Sequence, residues 1–216
     1  MKEIAINRLP MLTYRYLKTN DTKILFAAPK ASVAASFSDQ SYVERGAVFP
    51  ENFAGASPET MAAALAGETY TITVPAGVQT ELTIDIKLEG VQAEYAGAFR
   101  IQLQKDAELK LIWKWSGSES GGNICTAAYY ELAENAQLQV SKLQSKMAEA
   151  VLYDQRAFQL GRAAKAEIIS AELGGSKVIV HSLGDLQGEE ATLTEQTVYI
   201  GTDKQQLDLF YHIDHW

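Results

Sequence analysis

One hydrophobic pattern returns five times from Thr69 onward at intervals close to 28 residues, and it limits the possible folds more than any other feature. Each unit has a hydrophobic position, several polar or small residues, then Ala or another small residue, then x-Leu followed by alternation. The units are TITVPAGVQTELTIDI, RIQLQKDAELKLIW, YYELAENAQLQVSKL, AFQLGRAAKAEIISA and GDLQGEEATLTEQTV. One aligned column is Leu82, Leu109, Leu138, Ala166 and Leu193, with steps of 27, 29, 28 and 27. A second is Val74, Leu103, Leu132, Leu160 and Leu186, with steps of 29, 29, 28 and 26. Two columns holding nearly one period indicate a true repeat. Segments such as Phe99–Leu103, Leu109–Trp113 and Val178–Val180 have strand-like composition and length. A repeat of this length built from short alternating strands is one coil of a solenoid, each strand pairing with its equivalent in the next coil. The expected fold is all-β: a parallel β-helix (β-solenoid) with coils of about 28 residues over 69–216.

Two competing patterns bear on this reading. A leucine-rich repeat has similar length, but its Asn or Cys column is missing, since Asn135 occurs once. Leu132, Ala136, Val140, Leu143, Met147 and Val151 follow amphipathic helix spacing, so local pattern alone makes 132–151 a helix. Leu132 and Leu138 both fall in the repeat columns, and the register is taken to overrule the local pattern.

Residues 1–68 form a different, partly helical N-terminal segment. Asn7-Arg8-Leu9-Pro10 and Asn20-Asp21 bound a short helical or irregular piece holding Leu12, Tyr16 and Leu17. Residues 27–53 have weak periodicity, as expected of extended segments joined by loops. Ser57-Pro58-Glu59-Thr60 reads as a helix start, with Ser at the N-cap and Pro at N1, so 57–66 is a predicted short helix.

Charge and cysteine usage narrow the function classes. The net charge is −8 with no basic run, which disfavours a nucleic-acid partner. The single cysteine, Cys125, allows no internal disulfide. The N-terminus lacks the apolar run of a signal peptide, and no segment approaches the roughly 18 apolar residues of a membrane span. The expectation is a cytoplasmic protein without membrane contact.

His212, Asp214 and His215 are the one cluster of metal-capable residues. In a strand, His212 and Asp214 share a face while His215 points the other way, so the three bind one ion only if the strand bends. Polar ladder residues near a coil edge are the simpler reading. Cys125, between Ile124 and Thr126, reads as a small buried hydrophobe before a reactive thiol. His181 reads as a surface or ladder histidine, Glu189-Glu190 as turn residues facing water, and the Gly121-Gly122 and Gly174-Gly175 pairs as turns. No P-loop, G-x-S-x-G, H-E-x-x-H or CxxC occurs, and nothing pairs a nucleophile with a base.

The C-terminal third carries a family pattern. GGSKVIVHSLGDLQGEEATLTEQTVYIGTDKQQLDLFYHIDH resembles the core of the SufB/SufD family. The likeness rests on Leu186-Gln187-Gly188-Glu189-Glu190-Ala191, Tyr199-Ile200-Gly201, Gln206-Leu207-Asp208, and His215 seven residues beyond Asp208. Upstream, Ile72–Val78 resembles the family's strand followed by V-P-x-G-V. The likeness covers about 70–216. Gly188, Gly201, Asp208 and His215 are the family-motif residues it implies. It also implies a right-handed β-helix, pairing with a SufB-like protein and a SufC-type ATPase, and iron–sulfur cluster assembly with no catalysis by this chain. Any cofactor would be a transient iron–sulfur cluster in the full complex, with none intrinsic. The absence of cysteine where SufB-like chains carry theirs favours a SufD-like role.

The chain stops in what reads as a strand, whereas the resemblance implies further coils and C-terminal helices. The β-helix is therefore expected to be incomplete at that end, and a homodimer through the open coil is a substitute for the natural pairing. Two rival functions follow from the fold: a secreted-type polysaccharide-active β-helix enzyme, with Asp203, Asp208 and Asp214 as acids, and a structural solenoid binding another protein.

Overall fold

The computed structural model describes residues 1–9, 22–50, 53, 55–90, 92–118, 122–145, 147–201 and 204–216. The expected helical piece with Leu12, Tyr16 and Leu17 lies outside them, as do Gly121 and Asp203. The N-terminal elements are β1 (Lys2–Ile6), β2 (Thr22–Phe26), β3 (Ser36–Phe37), β4 (Val43–Arg45) and α1 (Pro58–Leu65). The repeat region supplies β5 (Glu68–Val74), β6 (Gln79–Leu88), β7 (Tyr95–Leu103), β8 (Glu108–Gly117), β9 (Asn123–Leu132) and β10 (Gln137–Ser145). It continues with β11 (Val151–Leu160), β12 (Lys165–Leu173), β13 (Lys177–Leu186), β14 (Thr192–Tyr199) and β15 (Gln206–His215).

Odd-numbered strands β5 to β15 form one parallel sheet and even-numbered strands β6 to β14 another, giving a parallel β-solenoid of about five turns. At the first coil, β4 adds to β5 and β3 adds to β6, both antiparallel, so the N-terminal segment covers those two edges.

The leucine columns of the sequence are ladders of the structure. Val74, Leu103, Leu132, Leu160 and Leu186 are consecutive partners, as are Leu109, Leu138, Ala166 and Leu193. One alignment needs correction: Thr80 stands opposite Leu109, and Leu82 stands opposite Leu111. The shift is two residues, which leaves Leu82 facing inward because side chains alternate with period two. Instead of a helix, Leu132 ends β9, a turn follows, and β10 runs from Gln137 to Ser145, with Val151 opening β11, as the register requires. Within β10, Leu138, Val140, Lys142 and Gln144 face the interior, while β8 and β12 bond its backbone on both sides. The long-range ladders outweigh the helical spacing there.

The turns stack as regularly as the strands. Gly77, Asp106, Asn135, Ala163 and Glu190 all have positive φ, between 54° and 69°. In the first four of these, the amide donates to the turn carbonyl of the next coil: Lys105, Glu134, Arg162 and Glu189. The residue after the left-handed position is alanine in the last four of these, with Ala107, Ala136 and Ala164 fully buried, and Val78 in the first. This is the Ala position of the repeat. Gly188 begins such a turn, and a Cβ there would lie 2.1 Å from Arg162 N, so only glycine fits.

Apolar side chains fill two spaces. The larger lies between the sheets, from Tyr70, Ile72 and Ile84 through Trp113 to Val178. The smaller lies outside the odd-numbered sheet, where Ile4, Ile6, Ile24, Phe26 and Met61 cover Cys125, Tyr153 and Ile179. As predicted, α1 begins with Ser57 as N-cap and Pro58 at its first position, and Ser57 and Thr60 form a reciprocal capping box.

Replacing Ala163 by Gly should relieve its left-handed strain and stabilise the fold by about 0.5–1 kcal/mol, a rise of roughly 1–4 °C in Tm. Replacing Gly188 by Ala should instead cost about 1–3 kcal/mol or more, because backbone must move. Thermal denaturation followed by circular dichroism checks the pair; equal effects of the two would contradict this account of the turns.

Candidate functional site

Along the solenoid the inward-facing columns change character. In the even-numbered sheet, Ile84 and Trp113 are followed by Lys142, Ser170 and Thr197. The neighbouring column runs Ile86, Trp115, Gln144, Glu172, Tyr199. In the facing sheet, Tyr70, Phe99 and Ala128 give way to Arg156, Ser182 and Tyr211. The column beside it places Asp154 after Thr126. The first two coils thus have an apolar interior, and the later ones enclose charge.

These charges meet between the sheets. Lys142 Nζ lies 2.8 Å from Asp154 Oδ2 and 2.6 Å from Glu172 Oε1. Its ammonium also sits 4.1 Å from the centre of the Trp115 ring. The Arg156 guanidinium approaches Asp154 at 3.2 Å and Glu195 at 3.7 Å, and donates to Ser170 Oγ at 3.3 Å. Ser182 Oγ donates to Glu195 Oε1 at 2.7 Å. Lys142, Arg156 and Glu172 have side chains at most 4% exposed. A cavity of about 10 Å³, near the size of one water, lies among Trp113, Trp115, Thr126, Lys142, Asp154 and Arg156.

Burial pushes the Asp154 carboxyl up, but Arg156 and Lys142 outweigh it and hold the group below the usual range. Burial also pushes Glu195 up, and there Arg156 and Ser182 compensate only in part, so it stays raised. The Gln144 amide, Trp115 Nε1, Arg156 Nε and Glu172 Oε2 are buried without a hydrogen-bond partner among the described residues. The interior therefore holds charged groups and polar atoms with unused hydrogen-bonding capacity.

A second polar cluster lies on the outer face of the odd-numbered sheet. Asn7 donates from Nδ2 to Val180 O at 3.1 Å and to Asp208 Oδ1 at 2.7 Å. Its Oδ1 is left to accept from His181 Nδ1 at 2.8 Å. Thr22 donates to the other oxygen of Asp208. His181 stacks flat on Phe210, 4.8 Å between ring centres. One motif residue, Asp208, thus receives hydrogen bonds from residues beside both β1 and β2 and latches the N-terminal ribbon to β13 and β15.

The remaining sequence-singled residues are dispersed. His212 Nε2 lies 3.0 Å from Asp214 Oδ1 on the outer face, while His215 continues the leucine column opposite Leu186. Among the described residues no three His, Cys, Asp or Glu side chains are placed to share a metal ion. A Cβ at Gly201 would meet the end of the Leu207 side chain at 3.3 Å, a contact that a small shift of that side chain relieves. Cys125 is sealed beneath α1, its Sγ 3.2 Å from Thr60 O, and burial raises its thiol to about 12. No helix among the described residues is long and apolar enough to cross a membrane. Sequence reasoning missed Lys142, Asp154, Arg156, Glu172 and Glu195. Their signal was available: each takes an inward position in the alternation that the repeat register defines.

Removing the Lys142 ammonium should show how the interior is balanced. Lys142→Met leaves two buried carboxylates short of a cation, and the expected loss is about 3–5 kcal/mol in chemical denaturation. Adding Glu172→Gln should restore part of that loss, and a simple sum of the two single effects would refute the coupling.

The outer cluster carries its own pH dependence. Burial lowers the His181 imidazole to about 4, against the pull of Asp208. The folded protein then binds fewer protons at this site than the unfolded chain. Stability is intact above the ordinary value of 6.5 and is lost as pH falls from there toward 4. Denaturation midpoints at pH 7 and pH 5 should show this loss, and His181→Gln should reduce it.

Among known families, the one described as "SUF system FeS cluster assembly, SufBD core domain" matches residues 88–216, more than half of the chain. The match runs from the last residue of β6 through β15 and contains the whole interior ion network. No curated protein and no solved structure matches the chain.

Proposed function

This chain belongs to the SufBD core-domain family of the SUF iron–sulfur cluster assembly system, and from that membership we propose that it is a SufD-like, non-catalytic scaffold subunit. In this reading it pairs with a SufB-like protein and works with a SufC-type ATPase. An iron–sulfur cluster is cargo of the complex, and no cofactor resides in this chain.

One observation carries the SufD-like assignment. The chain has a single cysteine, and it is buried under α1 with its thiol raised to about 12. At neutral pH such a sulfur is protonated and shielded from solvent, so it serves neither as a cluster ligand nor as a sulfur acceptor. A subunit of this kind contributes surface and rigidity while a partner contributes thiolates. Cys125 fits that role as packing, between Thr60 and the Gln155 amide.

The polysaccharide-enzyme alternative gains no support from the acids assigned to it. Both Asp208 oxygens accept hydrogen bonds from the N-terminal ribbon, Asp214 pairs with His212, and Asp203 lies outside the described residues.

Anaerobic affinity purification of the tagged protein from its own host tests the proposal. SufB-like and SufC-like proteins should co-purify, and Cys125→Ser should recover them equally while supporting cluster assembly at the original rate. Failure to recover either partner would count against the assembly role. Loss of cluster assembly in the serine variant, with partners still bound and the fold intact, would overturn the SufD-like assignment alone.

A further inference from the structure

Glu195 takes a position whose counterparts in the four preceding coils are Leu82, Leu111, Val140 and Ile168. It is the only charged residue that β14 turns inward. Ser182 Oγ donates to one carboxyl oxygen, and the other lies 3.7 Å from Arg156, a cation already engaged by Asp154 at 3.2 Å. Lys142 is likewise shared between Asp154 and Glu172. Two buried cations therefore face three buried carboxyl groups.

We propose that Glu195 is carried inside the folded solenoid as the neutral acid, and that its ionisation as pH rises loosens β14 from β12. An apolar column accepts a neutral carboxyl hydrogen-bonded to a serine far more readily than an under-paired carboxylate. The groups facing Glu195 are known from each packed element. Arg156 and Asp154 come from β11, Tyr211 from β15 and Tyr130 from β9, and β13 contributes the neutral Ser182; Lys142 of β10 is tied to Asp154, and Glu172 of β12 to Lys142, rather than to Glu195 itself. Among the described residues, Arg156 is the cation within ion-pair distance.

The direction of the linkage follows. Burial raises the Glu195 carboxyl above its ordinary value of 4.5, and Asp154 adds to the rise. The folded protein keeps a proton that the unfolded chain has lost. This stabilising contribution is complete below 4.5 and disappears as pH rises through the folded value. Asp154, held low, acts in the opposite sense, so the network is balanced between acid and alkaline limits.

Amide hydrogen exchange of the full chain across about pH 5 to 9 tests the proposal, after correction for intrinsic exchange. Opening of β14 should become more frequent with pH, by up to about tenfold per unit within the window, while β8 stays constant. Glu195→Gln should abolish the pH dependence in β14. Identical pH profiles for the wild type and E195Q would overturn the proposal. Should E195Q not fold, carbon-13 carboxyl shifts of the glutamate-labelled wild type decide the matter. Titration of assigned Glu195 above the other glutamates supports the proposal; ionisation at or below 4.5 overturns it. Both outcomes are independent of whether SUF partners bind.

Discussion

Parallel stacking of one coil on the next is the constraint on which this structure depends. Each strand bonds its equivalents above and below, so a residue at a given place in the repeat must tolerate its counterpart next to it. That requirement produces the columns of Leu, the aligned left-handed turn residues and the run of small residues behind them. It also gives inward substitutions a long reach, because each inward side chain contacts two coils.

Within this frame the change from apolar to charged interior is a local exception with a clear physical form. Lys142, Asp154, Arg156, Glu172 and Glu195 come from four strands, and none could be held there by its own coil alone. Such a network gives little net stability, because removing charged groups from water opposes much of what their pairing returns. Its members hold one another across coils: Lys142 is shared by Asp154 and Glu172, and Arg156 by Asp154 and Glu195. The N-terminal segment works from outside to the same end. Asn7, Thr22 and His181 fasten its ribbon to β13 and β15, and Arg100 ties Val48 O and Glu131 together across the sheet.

Family membership and local geometry speak to different parts of the chain. The matched region holds the solenoid from the end of β6 and the ion network, while α1 and the N-terminal ribbon lie outside it. Motif residues acquire separate reasons for their identity. Gly188 is required by contact with a neighbouring turn, Asp208 is bound by the ribbon, and His215 extends a leucine column. A shared sequence pattern had joined them, but their physical roles differ.

The sequence by itself determined the solenoid, because a period of about 28 residues in two hydrophobic columns can be met only by stacked coils. It also determined α1, whose cap and first-turn proline act within a few residues. Register within a coil was less legible: Leu82 stood two places from its assigned column, since alternation fixes the face and not the partner. The pairings within the ion network and the Asp208 latch were decided by tertiary structure. Alternation within the repeat marks Lys142 as inward, but its partners Asp154 and Glu172 lie 12 and 30 residues away, and Asn7 and Asp208 are 201 apart. Only stacking brings Lys142, Arg156 and three carboxyl groups into one space from which water is largely excluded, and there their charges must be settled against one another.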